Sequence, residues 1–218
     1  MPMSDVNVIK GGVTLAVIAA VCTALVALTF ALTRDRIVAN ETAWLERNLQ
    51  PALAGLFFDS GITESKLTVA APHNLPGTDD ASIYRVYAAD APVAALFVVS
   101  ARDGYSGPIR LLVGIDVEGA ITAVQVLEHR ETPGLGDRVE AGKSDWVKQF
   151  AGRSLINPMP DGWAIKRDGG EFDQLTGASV TPRAIVNAVR ETLLYFAAND
   201  ASVFAADDLA APAEGNAK

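Results

Sequence analysis

The chain has 218 residues, half of them hydrophobic and 20% charged, a composition of folded protein that excludes a disordered or fibrous chain. Its net charge of −8 argues against a nucleic-acid partner, which needs a basic face to displace counterions. One cysteine, Cys22, and two distant histidines, His73 and His129, exclude an intrachain disulfide framework, a four-cysteine metal or iron–sulfur site and a histidine-rich metal centre. Any redox chemistry must therefore use a cofactor that needs no thiolate ligand, and no metal ligands are assigned.

Gly11 to Thr33 contains no charged residue. Twenty helical residues from Val13 to Leu32, at about 1.5 Å each, span about 30 Å, the hydrocarbon thickness of a bilayer. A cleaved signal peptide has a shorter apolar core, about 7–15 residues, and a small-residue cleavage site. Here the run ends in Leu32-Thr33-Arg34-Asp35, so residues 1–35 are predicted as a short N-terminus and an uncleaved transmembrane anchor in contact with lipid. Arg34, Arg36 and Arg47 outnumber Lys10 at the opposite flank, a charge bias that by itself places the large domain in the cytoplasm.

Beyond the anchor the pattern predicts an α+β fold, with a mainly antiparallel sheet and flanking helices. Helical spacing of apolar residues continues from Arg36 to Phe58, bent or broken at Pro51, and a turn-rich stretch follows; residues 36–81 are read as a stalk and connecting segment. Residues 82–199 are the main domain. β-like runs occupy Ile83–Tyr87, Val93–Val99, Ile109–Ile115 and Ala120–Leu127, and Asp116-Val117-Glu118-Gly119 has the composition of a tight hairpin. A short amphipathic helix is predicted over Asp137–Phe150, a strand near Trp163–Lys166, and a long helix after Thr181. The Ala- and Asp-rich residues 200–218 are predicted to be a flexible tail.

Two stretches look chemical. Glu131-Thr132-Pro133-Gly134-Leu135-Gly136-Asp137 follows a strand, and its glycines permit backbone to approach a flat ligand; an ordinary connecting loop has the same composition. It lacks the third glycine and the βαβ setting of a dinucleotide fingerprint. The second, Asp173-Gln174-Leu175-Thr176-Gly177-Ala178-Ser179-Val180-Thr181-Pro182, leads into the long helix, with Thr181 suited to the N-cap and Pro182 to the first helical position. A helix N-terminus with free amides is a seat for phosphate, although a plain capped helix start accounts for Thr181-Pro182 equally well. No Ser–His–Asp set, paired carboxylates or Walker loop competes, and no catalytic residue is assigned. His129 reads as a structural residue at a strand end.

Asp-x-x-[Ser/Thr]-Gly-Ala-[Ser/Thr] resembles the flavinylation motif of the FMN-binding domain family, seen in the G subunit of the Rnf electron transport complex and the C subunit of the sodium-translocating NADH:quinone reductase. Gly104-Tyr105-Ser106-Gly107-Pro108-Ile109, Val113-Gly114-Ile115-Asp116, His129-x-Glu131-Thr132-Pro133-Gly134-Leu135-Gly136, Thr181-Pro182-Arg183-Ala184 and the single span also resemble that family. The resemblance implies that a flavin transferase moves FMN from FAD onto the last hydroxyl of the motif as a phosphoester. By position that is Ser179, where the family usually has threonine; Thr176 and Thr181 are neighbouring hydroxyls. It further implies that Thr176, Gly177, Ala178 and Thr181 surround the attachment point. Leu135, between Gly134 and Gly136, would shield the ring, and Glu131 and Thr132 would orient it. The function implied is an electron-carrier subunit, with no substrate-turnover site of its own. It would work with the other Rnf subunits in an ion-translocating oxidoreductase that couples electron transfer between ferredoxin and NAD to ion transport. The soluble domain would lie on the periplasmic side of a bacterial inner membrane, against the arginine count. The alternatives are the quinone-reductase subunit, which is generally a longer chain, and a non-redox anchored domain that is structural or binds a partner.

Overall fold

The computed structural model describes residues 11–34, 65–71, 73–89 and 91–205. The expected stalk helix and most of the tail lie outside these residues. The chain divides into two units, one carrying the N-terminal helix and the other the domain.

Helix α1 spans Gly11–Arg34, with a mean hydropathy of 2.6 in its most apolar window and none of that window buried. It is long and apolar enough to cross a membrane. Its hydroxyls are satisfied internally: Thr29 Oγ1 donates to the Leu25 carbonyl and Thr33 Oγ1 to the Thr29 carbonyl, each at 2.8 Å. Such back-bonding removes the cost of placing a hydroxyl in hydrocarbon.

The domain is an antiparallel meander of five strands in sequence order: β1 Lys66–Val69, β2 Ala81–Ala88, β3 Ala91–Ala101, β4 Ile109–Asp116 and β5 Ile121–Glu128. Period-2 alternation sorts the side chains. Ala95, Phe97 and Val99 of β3 and Leu111, Val113 and Ile115 of β4 face the main core, whereas Leu96, Val98 and Leu112 belong to a smaller cluster on the opposite face. The β4–β5 hairpin is closed as its composition predicts. Asp116 Oδ1 accepts the amides of Glu118 and Ala120, both at 2.9 Å, and Gly119 takes a φ of +83°.

Helix α2, Val180–Phe204, lies on the main-core face through Ile185, Val189, Leu193 and Phe196. Phe97 meets the rings of Tyr195 and Phe196 edge-on at 6.4 and 6.1 Å. The helix does not end at Asn199. That residue leaves helical geometry (φ −134°), but helical backbone resumes as far as Phe204, with Val203 fully buried.

Two expectations between the sheet and α2 are corrected. Asp137–Phe150 is not one amphipathic helix but two 3-10 turns, Gly136–Val139 and Trp146–Phe150. Trp146, Val147 and Phe150 are buried as a helical face would be, yet the intervening Ala141-Gly142-Lys143-Ser144 turns the chain. Trp163–Lys166 is not a strand: Ile165 makes a single parallel bridge to Phe172, with 3-10 turns at Pro160–Gly162 and Lys166–Asp168. An aromatic cluster builds this lobe. Phe172 stacks on Phe150 at 4.9 Å and tilts against Trp163 at 4.9 Å, and Trp146 meets Phe150 edge-on. Amide exchange between Ile121 and the Gly152–Arg153 segment, both bonds at 2.8 Å, fastens the lobe to the start of β5.

Candidate functional site

The two motif loops and the start of α2 converge on one buried carboxyl group. Glu131, 5% exposed, accepts the Ser106 amide on Oε1 at 3.0 Å and the Thr181 hydroxyl on Oε2 in a short hydrogen bond. It thereby ties together the loop before β4, the loop after β5 and the first turn of α2. Glycine makes this approach possible. A Cβ on Gly136 would lie 2.8 Å from Glu131 Oε2 and 3.0 Å from Thr181 Oγ1, and one on Gly104 would lie 3.0 Å from Glu131 Oε1.

Local bonding shapes each loop. The Thr132 carbonyl gathers the amides of Leu135, Gly136 and Asp137 at 3.2, 3.1 and 3.4 Å, and Gly134 has a φ of +78°, the left-handed geometry a Pro-Gly turn requires. The Glu131 amide donates to His129 Nδ1 at 3.0 Å, so the other ring nitrogen, Nε2, is the donor to Glu140 Oε1 at 2.8 Å. His129 is thus a strut between strand end and loop. Lys143 Nζ completes the network, 2.9 Å from Asp137 and 2.6 Å from Glu140. Its hydrogen bond holds Asp137 below the ordinary 3.8 and, with a second bond from His129, holds Glu140 below the ordinary 4.5.

The second motif hangs from the aromatic lobe. The Asp173 carbonyl accepts Trp146 Nε1 at 2.6 Å, its amide donates to Gln149 Oε1 at 2.8 Å, and its carboxylate pairs with Lys166 at 2.5 Å. The Ala178 amide then donates to the Leu175 carbonyl, closing a turn in which Gly177 has a φ of +85°. Ser179, not Thr181, occupies the N-cap, so Thr181 and Pro182 are the second and third helical residues. The Thr181 hydroxyl goes to Glu131 rather than to a capping amide, and Pro182 still sits where no intrahelical donor is required. Ser179 makes no side-chain capping bond; its Oγ accepts Arg167 Nη1 at 3.2 Å.

Between the loops lies a cleft of about 320 Å³. Glu131, Thr132, Leu135 and Gly136 line it from one side, Gly177, Ala178, Ser179, Val180 and Thr181 from the other, with Tyr105 at its mouth. Eight of the residues expected at the site therefore share one cleft. Gly134 and Thr176 are exposed and do not line it. The structure adds Tyr105 and Val180 to the cleft lining and Arg167 beside Ser179. Tyr105 stands in the Gly104–Ile109 segment, which carries a signal; Arg167 has no motif of its own. A larger hollow of about 450 Å³ beside Asp79, Arg110, Glu128 and Arg130 contains no residue of either motif.

An FMN-binding domain family model matches residues 104–194, and an RnfG N-terminal region model matches residues 3–51. The chain is 44% identical to the G subunit of the ion-translocating oxidoreductase complex of Cronobacter sakazakii, over 85% of this chain and 88% of that one. This chain belongs to the RnfG family. The Shewanella amazonensis and Escherichia coli K12 members are 40% and 42% identical, covering 91% and 85% of this chain and 92% and 89% of their own lengths. The crystal structure of Shewanella oneidensis NqrC aligns with a TM-score of 0.44 and 21% identity, over 58% of this chain and 63% of that one. The N-terminal match is to RnfG's own region, which favours that assignment over the quinone-reductase subunit, and the FMN-binding match and the oxidoreductase relatives disfavour a non-redox domain.

The residues present fit the cofactor that the matching domain family is named for. The cleft offers a hydroxyl that makes no capping bond, a guanidinium bonded to it, an apolar wall at Leu135, and the amides of Val180 and Thr181, which lie too early in α2 to have intrahelical acceptors. Leu135 Cδ2 comes within 3.1 Å of where a Gly177 Cβ would stand, so the two loops touch across the cleft.

Proposed function

We propose that this chain carries FMN esterified through its phosphate to Ser179, and serves as the electron-carrier subunit of a membrane-bound Rnf-type ion-translocating oxidoreductase. The observation that carries this reading is the Ser179 hydroxyl. It stands at the N-terminus of α2, inside the cleft both motifs build, uncommitted to capping and next to a cation. The neighbouring hydroxyls are less suited: Thr181 is fully buried and donates to Glu131, and Thr176 is not part of the cleft lining.

Bound FMN supplies one- and two-electron chemistry. The protein's residues hold and shield it. Glu131 fixes the two loops against α2; Thr132, Gly136, Gly177 and Ala178 give a small-residue wall; Leu135 and Tyr105 cover apolar surface. Gly134 and Thr176 act at one remove, by shaping the turns that carry these contacts. Maturation requires a flavin transferase, and electrons pass to and from the other subunits of the complex, between ferredoxin and NAD. Helix α1 anchors the chain in the lipid of a bacterial inner membrane, with the domain on the periplasmic side. The test is a denaturing gel: the wild-type band should fluoresce as flavin and the Ser179→Ala band should not. A fluorescent Ser179→Ala band would displace the assignment to another residue.

A further inference from the structure

The geometry points to Arg167 as a phosphate-holding and positioning residue, its guanidinium pairing with the unesterified phosphate oxygens at Ser179 while Lys166 and Asp168 aim it. This rests on the reading of Ser179 as the FMN acceptor.

Lys166, Arg167 and Asp168 form one 3-10 turn closed by Gly169, whose φ is +92°. Both outer residues are tied to chain flanking Ser179. Lys166 Nζ lies 2.5 Å from Asp173 Oδ1, before the acceptor. Asp168 grips Arg183 with both oxygens, at 2.6 and 2.9 Å, on the first turn of α2 after it. The Arg167 amide is fixed as well, donating to Gln174 Oε1 at 3.1 Å. The three consecutive charges are thus a strap laid across the acceptor segment.

Within the strap the charges divide unequally. Lys166 and Asp168 each have a counter-charge, in Asp173 and Arg183. Arg167 has no carboxylate within ion-pair distance among the described residues; its one side-chain contact there is Ser179 Oγ, at 3.2 Å. The Asp168 charge acts on Arg167 only from beyond ion-pair distance, so a guanidinium hydrogen-bonded to one neutral hydroxyl is an incomplete electrostatic arrangement. A phosphodiester at that hydroxyl completes it, because its single negative charge is shared by two oxygens whose spacing matches the planar fork of an arginine.

The same group acts as the ester forms. In that transfer the Ser179 O–H bond and the pyrophosphate P–O bond of FAD break and the Oγ–P bond forms. AMP leaves with the bond electrons and takes up the proton, and the flavin keeps its oxidation state. Arg167 faces the negative phosphate as it arrives at the hydroxyl, so its removal slows attachment as well as weakening the bound state. Solvent exposure of Arg167 weakens its charge-assisted hydrogen bond, and the expected effect is roughly tenfold in rate.

The experiment uses the full chain coexpressed with a flavin transferase, with covalent flavin followed over time by intact mass and the thermal midpoint measured on the same samples. Arg167→Ala and the closer-shaped Arg167→Gln should both incorporate flavin about tenfold more slowly at an unchanged midpoint. Arg167→Lys should recover part of the rate, and Arg190→Ala, which removes the same charge from an exposed position on α2, should match wild type. Wild-type incorporation in both neutral variants overturns the inference. So does a slow Arg167→Lys that is no faster than Arg167→Ala, or a loss that follows a lowered midpoint. A wild-type chain without covalent flavin, or a flavinylated Ser179→Ala, refutes instead the acceptor assignment on which the inference rests.

Discussion

Replacing Glu131 with alanine removes the carboxyl group that hydrogen-bonds the Ser106 loop and the first turn of α2, and the structure sets the scale of the effect. The Thr181 hydroxyl, fully buried, loses its acceptor, and an orphaned buried polar group costs about 1–3 kcal/mol. The Ser106 amide also loses its acceptor but is near the surface, where water replaces it at smaller cost. With the lost side-chain packing, Glu131→Ala should cost about 2–4 kcal/mol in total. For a domain of this size that lowers the thermal midpoint by roughly 5–15 °C. Glu131→Gln should cost only about 1 kcal/mol. Its amide oxygen can keep the Ser106 bond while the NH2 donates to a reoriented Thr181 hydroxyl. Thr181→Val, alone, strands a carboxylate oxygen; combined with Glu131→Ala it removes an orphan. The double variant should therefore lose about 1–2 kcal/mol less than the two single losses added together. Tryptophan-fluorescence melts of the four detergent-purified chains give the cycle. Additivity within about 0.5 kcal/mol would mean that Glu131 and Thr181 are not coupled, and the clamp would be wrong.

The two loop glycines should separate by mechanism. A Cβ on Gly134 meets nothing but imposes a side chain at φ +78°, so Gly134→Ala should lower the thermal midpoint and leave covalent flavin content intact. Gly136→Ala drives a methyl into Glu131 and Thr181 and should lower both. Acid should unfasten the network after β5. Asp137 and Glu140 have folded values depressed below 3.8 and 4.5, so their stabilisation is complete above those values and disappears as pH falls through the folded ones. Melts between pH 6 and about pH 3 should show this loss, and Lys143→Gln should flatten it. Topology can be read with Glu118→Cys, an exposed position in the β4–β5 turn: an impermeant thiol reagent should label it in intact spheroplasts, and labelling only after lysis would place the domain in the cytoplasm.

Strands β2 to β5 were legible as short runs rich in β-branched and apolar residues bounded by turn residues, and Asp116-x-x-Gly119 encodes its own turn. β1 was not: Lys66–Val69 is short, half exposed, and set among turn residues, and only its pairing with β2 makes it a strand. The expected 137–150 helix failed because burial at Trp146, Val147 and Phe150 mimics helical spacing, while docking against Phe172 and Asp173, far along the chain, fixes the backbone as 3-10 turns. The same holds at the site. Both motifs could be read locally, and so could the acceptor hydroxyl, but what joins them could not. Glu131 reaching Thr181 spans 50 residues, and Arg167 reaching Ser179 depends on the strap geometry around Asp173 and Arg183. Thr181 illustrates the limit: its sequence context is that of an N-cap, and a distant carboxyl group claims its hydroxyl instead.

Trypsin should release Asp168–Arg183 as one peptide holding Thr176, Ser179 and Thr181 together. Fragment-ion mass spectrometry of that peptide from the mature wild-type chain tests directly whether Ser179 carries the flavin. The expected result is a mass increase equal to FMN less one water, carried only by fragments that include Ser179. An unmodified peptide, or an increment carried by Thr176 or Thr181, would contradict it.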